Sequence, residues 1–461
     1  MKRKSKPPVG ALSGQRLHFM GIGGIGMSAL AELAAARGAQ VTGCDREESE
    51  NTQRLRRRGL EVMIGHGPQH VAGVDRLIYT SAVSADHPER LAAGQRAMRR
   101  GTFLAELLHG MEVIGVCGTH GKTTTTWLIA SIFLAAKRDP TVMLGGIARE
   151  MGGNFRPGGN LAIVELDESD ESFLEPRLAA AVITNVESDH LHHYVSFERL
   201  RAAFQRFAAG VGDEGILIAS ADDAESAAIY GAHAGHKISF GFSPDALVRG
   251  EDLGFGDGVQ RFAVYADGER HSMDMRLPAA HNIRNALAAI AVARAWQVEW
   301  QAIKAGLAAC KGVERRMQRV AEVERMAIYM DYAHHPTEIR ASLAAARAWH
   351  GGKILVVYQP HLYSRTRDYA KEFGSALAEA DEVLVCDIYP AREAPIPGIS
   401  AALIVAAVQA AGGRAYGPFS VAQIPAEVAA RCRGLEAVIL MGAGDIGKAE
   451  HDLLERLSSA H

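Results

Sequence analysis

Short apolar runs alternate with longer stretches in which apolar residues recur at helical spacing, through most of the chain. The first run, 16–20, leads into GIGGIG and a small-residue helix over 27–37. Further strand-like runs cover 40–44, 76–80, 112–116, 161–165, 180–184 and 215–218. A parallel strand is buried on both faces and reads as a continuous apolar run. Its crossover reads as an amphipathic helix, so the rhythm predicts parallel sheets covered by helices. Between 246 and 277 the pattern changes to alternation, with Asp257-Gly258 and Asp267-Gly268 as turn signals, which predicts antiparallel hairpins. An Ala-rich helix follows over 282–296; the pattern breaks near 312–318 and restarts with strands at 326–330, 353–358, 382–386 and 437–441. Cuts near 111 and 316 give three α/β domains, 15–111, 112–316 and 317–461, after a flexible basic arm over 1–14.

The composition narrows the class. Of 461 residues 48% are hydrophobic and 22% charged, which excludes global disorder. Fifty basic side chains face 53 acidic ones for a net charge of -3, so there is no polybasic coat and nucleic acid is not an expected partner. No apolar run reaches the roughly 18 residues of a membrane helix, so no membrane insertion is expected. The basic, proline-containing start lacks the apolar core of a secretory signal. Five cysteines, Cys44, Cys117, Cys310, Cys386 and Cys432, are odd in number and widely spaced. They suit neither a disulfide framework nor a paired-cysteine metal motif, and point to the reducing cytoplasm.

Two glycine loops carry the candidate chemistry. Gly21, Gly23, Gly24 and Gly26 form G-x-G-x-x-G directly after the first strand, and Asp45 ends the next one. Such glycines permit a tight turn and close backbone approach, and the helix that follows offers free N–H groups to a diphosphate. NAD, FAD and a UDP-sugar all fit. The second loop, Gly118-Thr119-His120-Gly121-Lys122-Thr123 followed by Thr124, also joins a strand to a helix. Lys122 can reach the β/γ-phosphates of a nucleotide and the Thr123 hydroxyl can ligate Mg²⁺. It is a variant phosphate loop: Val116 stands where the usual spacing places glycine. A dehydrogenase accounts for the first loop alone and a generic nucleotidase for the second alone. An enzyme that activates a UDP-linked substrate with ATP accounts for both.

Downstream, Asp167-Glu168-Ser169-Asp170 follows an apolar run, and Glu168 is the candidate Mg²⁺ ligand. Asn185-Val186-Glu187-Ser188-Asp189-His190 follows the next run, with His190 the functional candidate and His192 and His193 its exposed neighbours. Nothing at conventional spacing completes a zinc site around these histidines. Asn282 and Asn285 open the long helix; Asn282 could cap it, and amides also suit adenine because they donate and accept together.

GTHGKTTTT, LDESDESF, NVESDH, AAHNIRNALAA, GVERRMQ and DYAHHPTEI, in that order, resemble the Mur ligases of bacterial peptidoglycan synthesis from about Arg16 onward. GIGGIGMS and QPHLYSRTRD are similar to the branch that adds L-alanine to UDP-N-acetylmuramic acid. The absence of lysine between His190 and Lys237 fits that branch, since sister ligases carry a carbamylated lysine there. The resemblance implies a Rossmann-like UDP-substrate domain, a P-loop ATPase-like central domain with a small antiparallel segment, and a Rossmann-like closing domain. It implies UDP binding at Gly21, Gly23, Gly24, Gly26, Asp45 and Ser81, and ATP binding at Gly118 to Thr124, Asn282, Asn285, Arg316 and Asp331. Magnesium, for which manganese can substitute, falls to Thr123, Glu168 and His190; Tyr332, His334, Arg365 and Arg367 surround the amino acid. Lys122, Glu168, His190, His334 and Arg365 are the implied catalytic set, in a monomer or homodimer. Leu362 stands where the family often has arginine, so carboxylate binding passes to Arg365 or Arg367. Amide formation would proceed through an acyl phosphate, with Arg315 to Gln318 the candidate hinge for closure over that water-sensitive species.

Overall fold

The computed structural model describes residues 12–81, 83–212, 214–391 and 393–459. Residues 1–11 of the expected arm lie outside that range. Leu12, counted with the arm, is buried, and its amide donates to the Arg37 carbonyl. The chain divides into two compact units, 1–254 with 261–311, and 255–260 with 312–461.

The first unit holds two sheets. One has five parallel strands in the order Glu61–Ile64, Gln40–Asp45, Arg16–Met20, Arg76–Tyr79, Ala97–Arg99. This is the half-Rossmann order, with the glycine loop leaving the central strand. The runs at 16–20, 40–44 and 76–80 are there within a residue at each end. The strands at 61–64 and 97–99 lie at the two edges of this sheet, where half their side chains are not covered and the apolar signal fades.

The second sheet has ten strands. Its middle places Ala180–Ile183, Glu112–Cys117 and Leu161–Glu165 side by side and parallel. The expected hairpins appear as Val248–Gly256, Val259–Ala266 and Glu269–Met275. Their turns take positive φ at Asp257 (54°), Gly258 (74°), Asp267 (55°) and Gly268 (79°), the conformation a two-residue hairpin turn requires. The helix Lys122–Ala135 packs on this sheet; from Thr125 to Phe133 every residue is buried, which is why the run carries no amphipathic period.

A polar clasp ties these two sheets together. Glu32, its side chain 4% exposed, pairs with Arg54 at 2.8 Å and Arg58 at 2.9 Å. Arg54 also donates to Asn154 Oδ1 at 2.7 Å, and the Asn154 amide donates to the hydroxyl of Ser28. Removing one partner of a buried pair strands the other charge. Arg54→Ala is expected to cost about 3 kcal/mol, the low end for such a loss because Arg58 remains. Urea titration of this variant checks it; an unchanged midpoint would show the clasp to be dispensable.

The second unit contains a six-stranded sheet in the order Gln318–Val323, Met326–Asp331, Leu435–Met441, Lys353–Tyr358, Glu382–Cys386, Ala415–Phe419. The first pair is antiparallel and the rest parallel. The edge strands 318–323 and 415–419 are the ones the apolar pattern does not announce, being only part-buried.

Candidate functional site

The three loops that leave adjacent strands 180–183, 112–117 and 161–165 emerge at one carboxyl edge, which is where an open parallel sheet binds ligands. The phosphate loop is fixed from below. Asn185 takes the His120 N–H on Oδ1 at 2.9 Å and donates Nδ2 to the His120 carbonyl at 3.0 Å. Thr184 Oγ1 also donates to that carbonyl, at 2.7 Å. Gly118 (φ 134°) and Gly121 (φ 80°) hold backbone that other residues rarely adopt. A Cβ on Gly121 would stand 2.5 Å from Asn285 Oδ1, which accepts from Thr125 at 3.2 Å. The helix entered through Gly121 has no side-chain cap, so its first N–H groups remain for an anion.

Lys122 is folded onto its own loop. Its ammonium donates to the carbonyls of Gly118 (2.6 Å) and Thr119 (3.2 Å) and to Glu168 Oε1 (3.0 Å). Glu168 is 1% exposed, and burial pushes its carboxyl up to about 7 although Lys122 opposes the shift. Burial would lower the lysine, but Glu168 and Asp167 outweigh it and hold the ammonium above its ordinary value. His190, at φ 55°, places Nε2 3.6 Å from Glu168 Oε1. Asp167, Glu168 and His190 offer ligand atoms all within 4.8 Å of one another. His193 is exposed; the side chain of His192 lies outside the described residues. Thr123, buried, donates its hydroxyl to Glu165 Oε1 at 3.0 Å. Glu165 and Asp167 are members that the sequence reading passed over. Glu165 closes the strand itself, and its proximity to Thr123 follows from strand order.

In the first sheet Asp45 is turned inward. Its Oδ2 accepts the Gly23 N–H at 2.8 Å, and Asn51 donates to the Gly23 carbonyl at 2.7 Å. Asp45 therefore shapes the glycine loop. A Cβ on Gly26 would stand 3.2 Å from Arg100 Nη1, a cation that no motif announces. Ser81 donates to Asp170 Oδ2 at 2.9 Å, and Arg100 lies 3.7 Å from Asp170, so both cradles are tied through the DESD turn.

At the head of the long helix Ala279 occupies the cap position, with φ 74° and no side-chain bond. Asn282 instead donates to the Pro278 carbonyl at 2.9 Å, and Asn285 donates to Asn282 at 3.3 Å.

In the second unit, Asp331 is 3% exposed and takes the N–H of Met317 (2.6 Å) and of Ala333 (2.7 Å). The Arg315 carbonyl accepts from Tyr332 N, and its guanidinium donates to the Gly442 carbonyl at 2.7 Å. Arg315 to Gln318 are thus fastened to the third sheet. Arg316 lies 3.5 Å from Glu338 and over the ring of Tyr332. His334 Nδ1 stands 3.0 Å from the Tyr332 carbonyl. A carbonyl only accepts, so Nδ1 carries the proton and the neutral ring keeps its lone pair on Nε2. Arg365 is buried, whereas Arg367 is exposed and paired with its neighbour Asp368 at 2.6 Å.

Burial pushes the Asp331 carboxyl up to about 6, with Arg316 and the two N–H donors opposing it. A carboxyl raised on folding contributes stability that is full below its unfolded value and is lost as pH rises through the folded one. The second unit is therefore expected to weaken between about pH 4 and pH 6 by roughly 2 to 3 kcal/mol. Urea midpoints against pH check this. Asp331→Asn, which cannot ionise, should flatten the slope; an equally steep slope in that variant would assign it elsewhere.

Three family models match: Mur ligase family, catalytic domain, over 16–110; Mur ligase middle domain over 116–293; and Mur ligase, glutamate ligase domain, over 315–444. A UDP-N-acetylmuramate–L-alanine ligase of Acidothermus cellulolyticus is 42% identical over 438 residues, 93% of this chain and 92% of that one. One from Novosphingobium aromaticivorans is 41% identical over 448 residues, 94% of each. The crystal structure of UDP-N-acetylmuramate-alanine ligase MurC from Thermotoga maritima superposes with TM-score 0.83 at 30% identity, covering 97% of this chain and 100% of that one. With matches of this extent at every stage of the fold, the chain belongs to the Mur ligase family.

Proposed function

We propose that this protein joins L-alanine to the lactyl carboxylate of UDP-N-acetylmuramic acid, consuming ATP and releasing ADP and phosphate. The observation that carries the reading is two anion cradles in one unit, linked through Asp170, in a chain 42% identical to a ligase bearing that name. The loop Gly21 to Gly26, with Arg100 beside it, takes the diphosphate of the sugar nucleotide, joined by Ser81, which bonds the same Asp170 that Arg100 approaches. Gly118 to Thr124 takes the ATP phosphates, Asn282 and Asn285 the adenine, and Arg316 and Asp331 phosphate and ribose. Tyr332, His334, Arg365 and Arg367 receive the amino acid. Of the two arginines, Arg365 is the better carboxylate partner, because it is buried, where a charge-assisted bond is least screened, whereas Arg367 is exposed.

The residues present fit a divalent cation. Buried Glu168 holds Oε2 2.9 Å from the Lys122 ammonium, and Asp167 and His190 bring hard oxygen and imidazole donors within 4.8 Å of its carboxylate. Glu168 and His190, with the Thr123 hydroxyl, would hold magnesium, which supplies charge neutralisation at the phosphates. The lactyl carboxylate attacks the γ-phosphorus, forming an acyl phosphate as ADP leaves. Negative charge spreads over the transferring oxygens, and Lys122 with the loop N–H groups meets it. The alanine amine then attacks the acyl carbon and phosphate departs. His334 Nε2 carries the lone pair that accepts the ammonium proton.

Phosphate release measured with UDP-N-acetylmuramic acid, MgATP and each of L-alanine, glycine and L-serine tests this. L-alanine is expected to release phosphate together with a new amide seen by mass spectrometry. NADH in a parallel well probes oxidoreductase activity. No phosphate and no amide with any amino acid would sink the reading.

A further inference from the structure

Behind the first glycine loop, four side chains from four separate segments converge inside the five-stranded sheet domain. His18 comes from Arg16–Met20, Cys44 from Gln40–Asp45, His70 from the turn Pro68–Val71 and Glu89 from the helix Pro88–Ala93. His18, Cys44 and Glu89 are wholly buried, and the His70 side chain is 12% exposed. One ligand atom from each lies within 4.8 Å of all the others. His18 Nε2 is 3.3 Å from Cys44 Sγ, Cys44 Sγ is 3.3 Å from Glu89 Oε2, and His70 Nδ1 is 3.0 Å from Glu89 Oε1. A tetrahedral zinc ion at its usual bond lengths holds its ligands roughly 3.3 to 3.8 Å apart, so only small adjustments separate this cluster from a coordination shell.

We propose that His18, Cys44, His70 and Glu89 form a zinc-binding site that braces the sugar-nucleotide loop. One thiol, two imidazoles and one carboxylate are the donor types zinc takes, whereas magnesium and calcium prefer oxygen alone. The supporting contacts that orient metal ligands are in place. His18 Nδ1 meets the Thr42 hydroxyl at 2.8 Å, and Glu89 Oε1 accepts the Gly67 N–H at 2.7 Å. His66 Nδ1 stands 3.2 Å from Cys44 Sγ with its side chain 27% exposed, and marks the route to solvent. The Cys44 thiol donates to Glu89. On binding, the S–H bond breaks, a zinc–sulfur bond forms and the proton passes to solvent. The Cys44 carbonyl accepts from Gly21 N (2.8 Å) and Ile22 N (3.0 Å), so fixing this residue fixes the floor of the glycine loop.

The test uses the full chain, stripped on a chelating resin and titrated with Zn²⁺ and with Co²⁺. Wild type is expected to show a thiolate-to-cobalt charge-transfer band with intense tetrahedral d–d bands, and a higher melting temperature with zinc. Cys44→Ser should abolish the charge-transfer band and weaken zinc binding by about 100-fold or more. Thr42→Val should keep the band and weaken binding by about 10- to 100-fold. A wild type without that band overturns the proposal, and this holds even if Cys44→Ser proves unfolded by circular dichroism. Equal zinc affinity in folded Cys44→Ser overturns it too, because the ion would then sit elsewhere and the cluster would be a hydrogen-bonded network only.

Discussion

Replacing Lys122 with alanine will lower turnover by about 10²- to 10³-fold or more and leave UDP-N-acetylmuramic acid binding intact. The ammonium lies on the loop proposed to hold the ATP phosphates, and the loss is expected to fall on the transition state, where negative charge is most spread out. The same lysine neutralises Glu168 at 3.0 Å, so the variant also strands a buried carboxyl. Breaking such a pair costs about 3 to 5 kcal/mol, less whatever protonation of the carboxyl recovers. These two effects separate in the double variant Lys122→Ala/Glu168→Gln, which should regain stability in urea but no phosphate release. The glycine loop proposed for the sugar nucleotide leaves the other sheet of the unit, and among the described residues the Lys122 ammonium bonds only its own loop and Glu168. Calorimetry on the folded single variant decides the point: loss of UDP-substrate binding there would mean that the two loops do not act separately.

Gly118→Ala will abolish measurable ATP binding and destabilise the first unit by roughly 2 to 6 kcal/mol, summing backbone strain and forced overpacking. Gly118 has φ 134°, and an added Cβ would stand 2.0 Å from Thr184 Oγ1 and 3.0 Å from the Asn185 carbonyl. Thr184 and Asn185 are the residues that hold His120, so the methyl group displaces the clamp under the loop. Gly152→Ala is the matched control: it also has positive φ, 67°, but open space around it. It should cost about 1 kcal/mol of strain and leave ATP affinity unchanged. Nucleotide titration by fluorescence and urea unfolding report both quantities. Wild-type ATP affinity in Gly118→Ala would remove this loop from the nucleotide site.

Much of the fold was legible locally. The strands Arg16–Met20, Leu161–Glu165, Lys353–Tyr358 and Glu382–Cys386 coincide with apolar runs read from the chain, because each sits inside its sheet and is covered on both faces. Glu61–Ile64, Ala97–Arg99, Gln318–Val323 and Ala415–Phe419 escaped that reading, being edge strands whose burial is partial. In the site, Lys122 and Thr123 were legible since a phosphate loop is a contiguous device, built from consecutive N–H groups. Asp45 was identified by its position at a strand end, and the structure adds that it accepts the Gly23 N–H and so holds the loop's shape. Asn282 does not cap its helix, because the chain enters through Ala279 at positive φ and the Asn282 amide is drawn back to Pro278. Arg100 had no local signature, and although Glu165 and Asp167 stand at a strand end that the chain announces, nothing local set them beside Glu168 as members of the site.

Contiguous features, then, were written into the chain: where strands run, where glycines permit a phosphate to approach, and which acids end a strand. Burial and backbone freedom act on neighbouring residues, so a short window of sequence suffices to read them. The pairing of Lys122 with Glu168, the approach of Arg100 to Gly26 and the gathering of His18, Cys44, His70 and Glu89 became visible in three dimensions. Each depends on which strands lie side by side, and that order is set by burial and crossover geometry summed over a whole sheet.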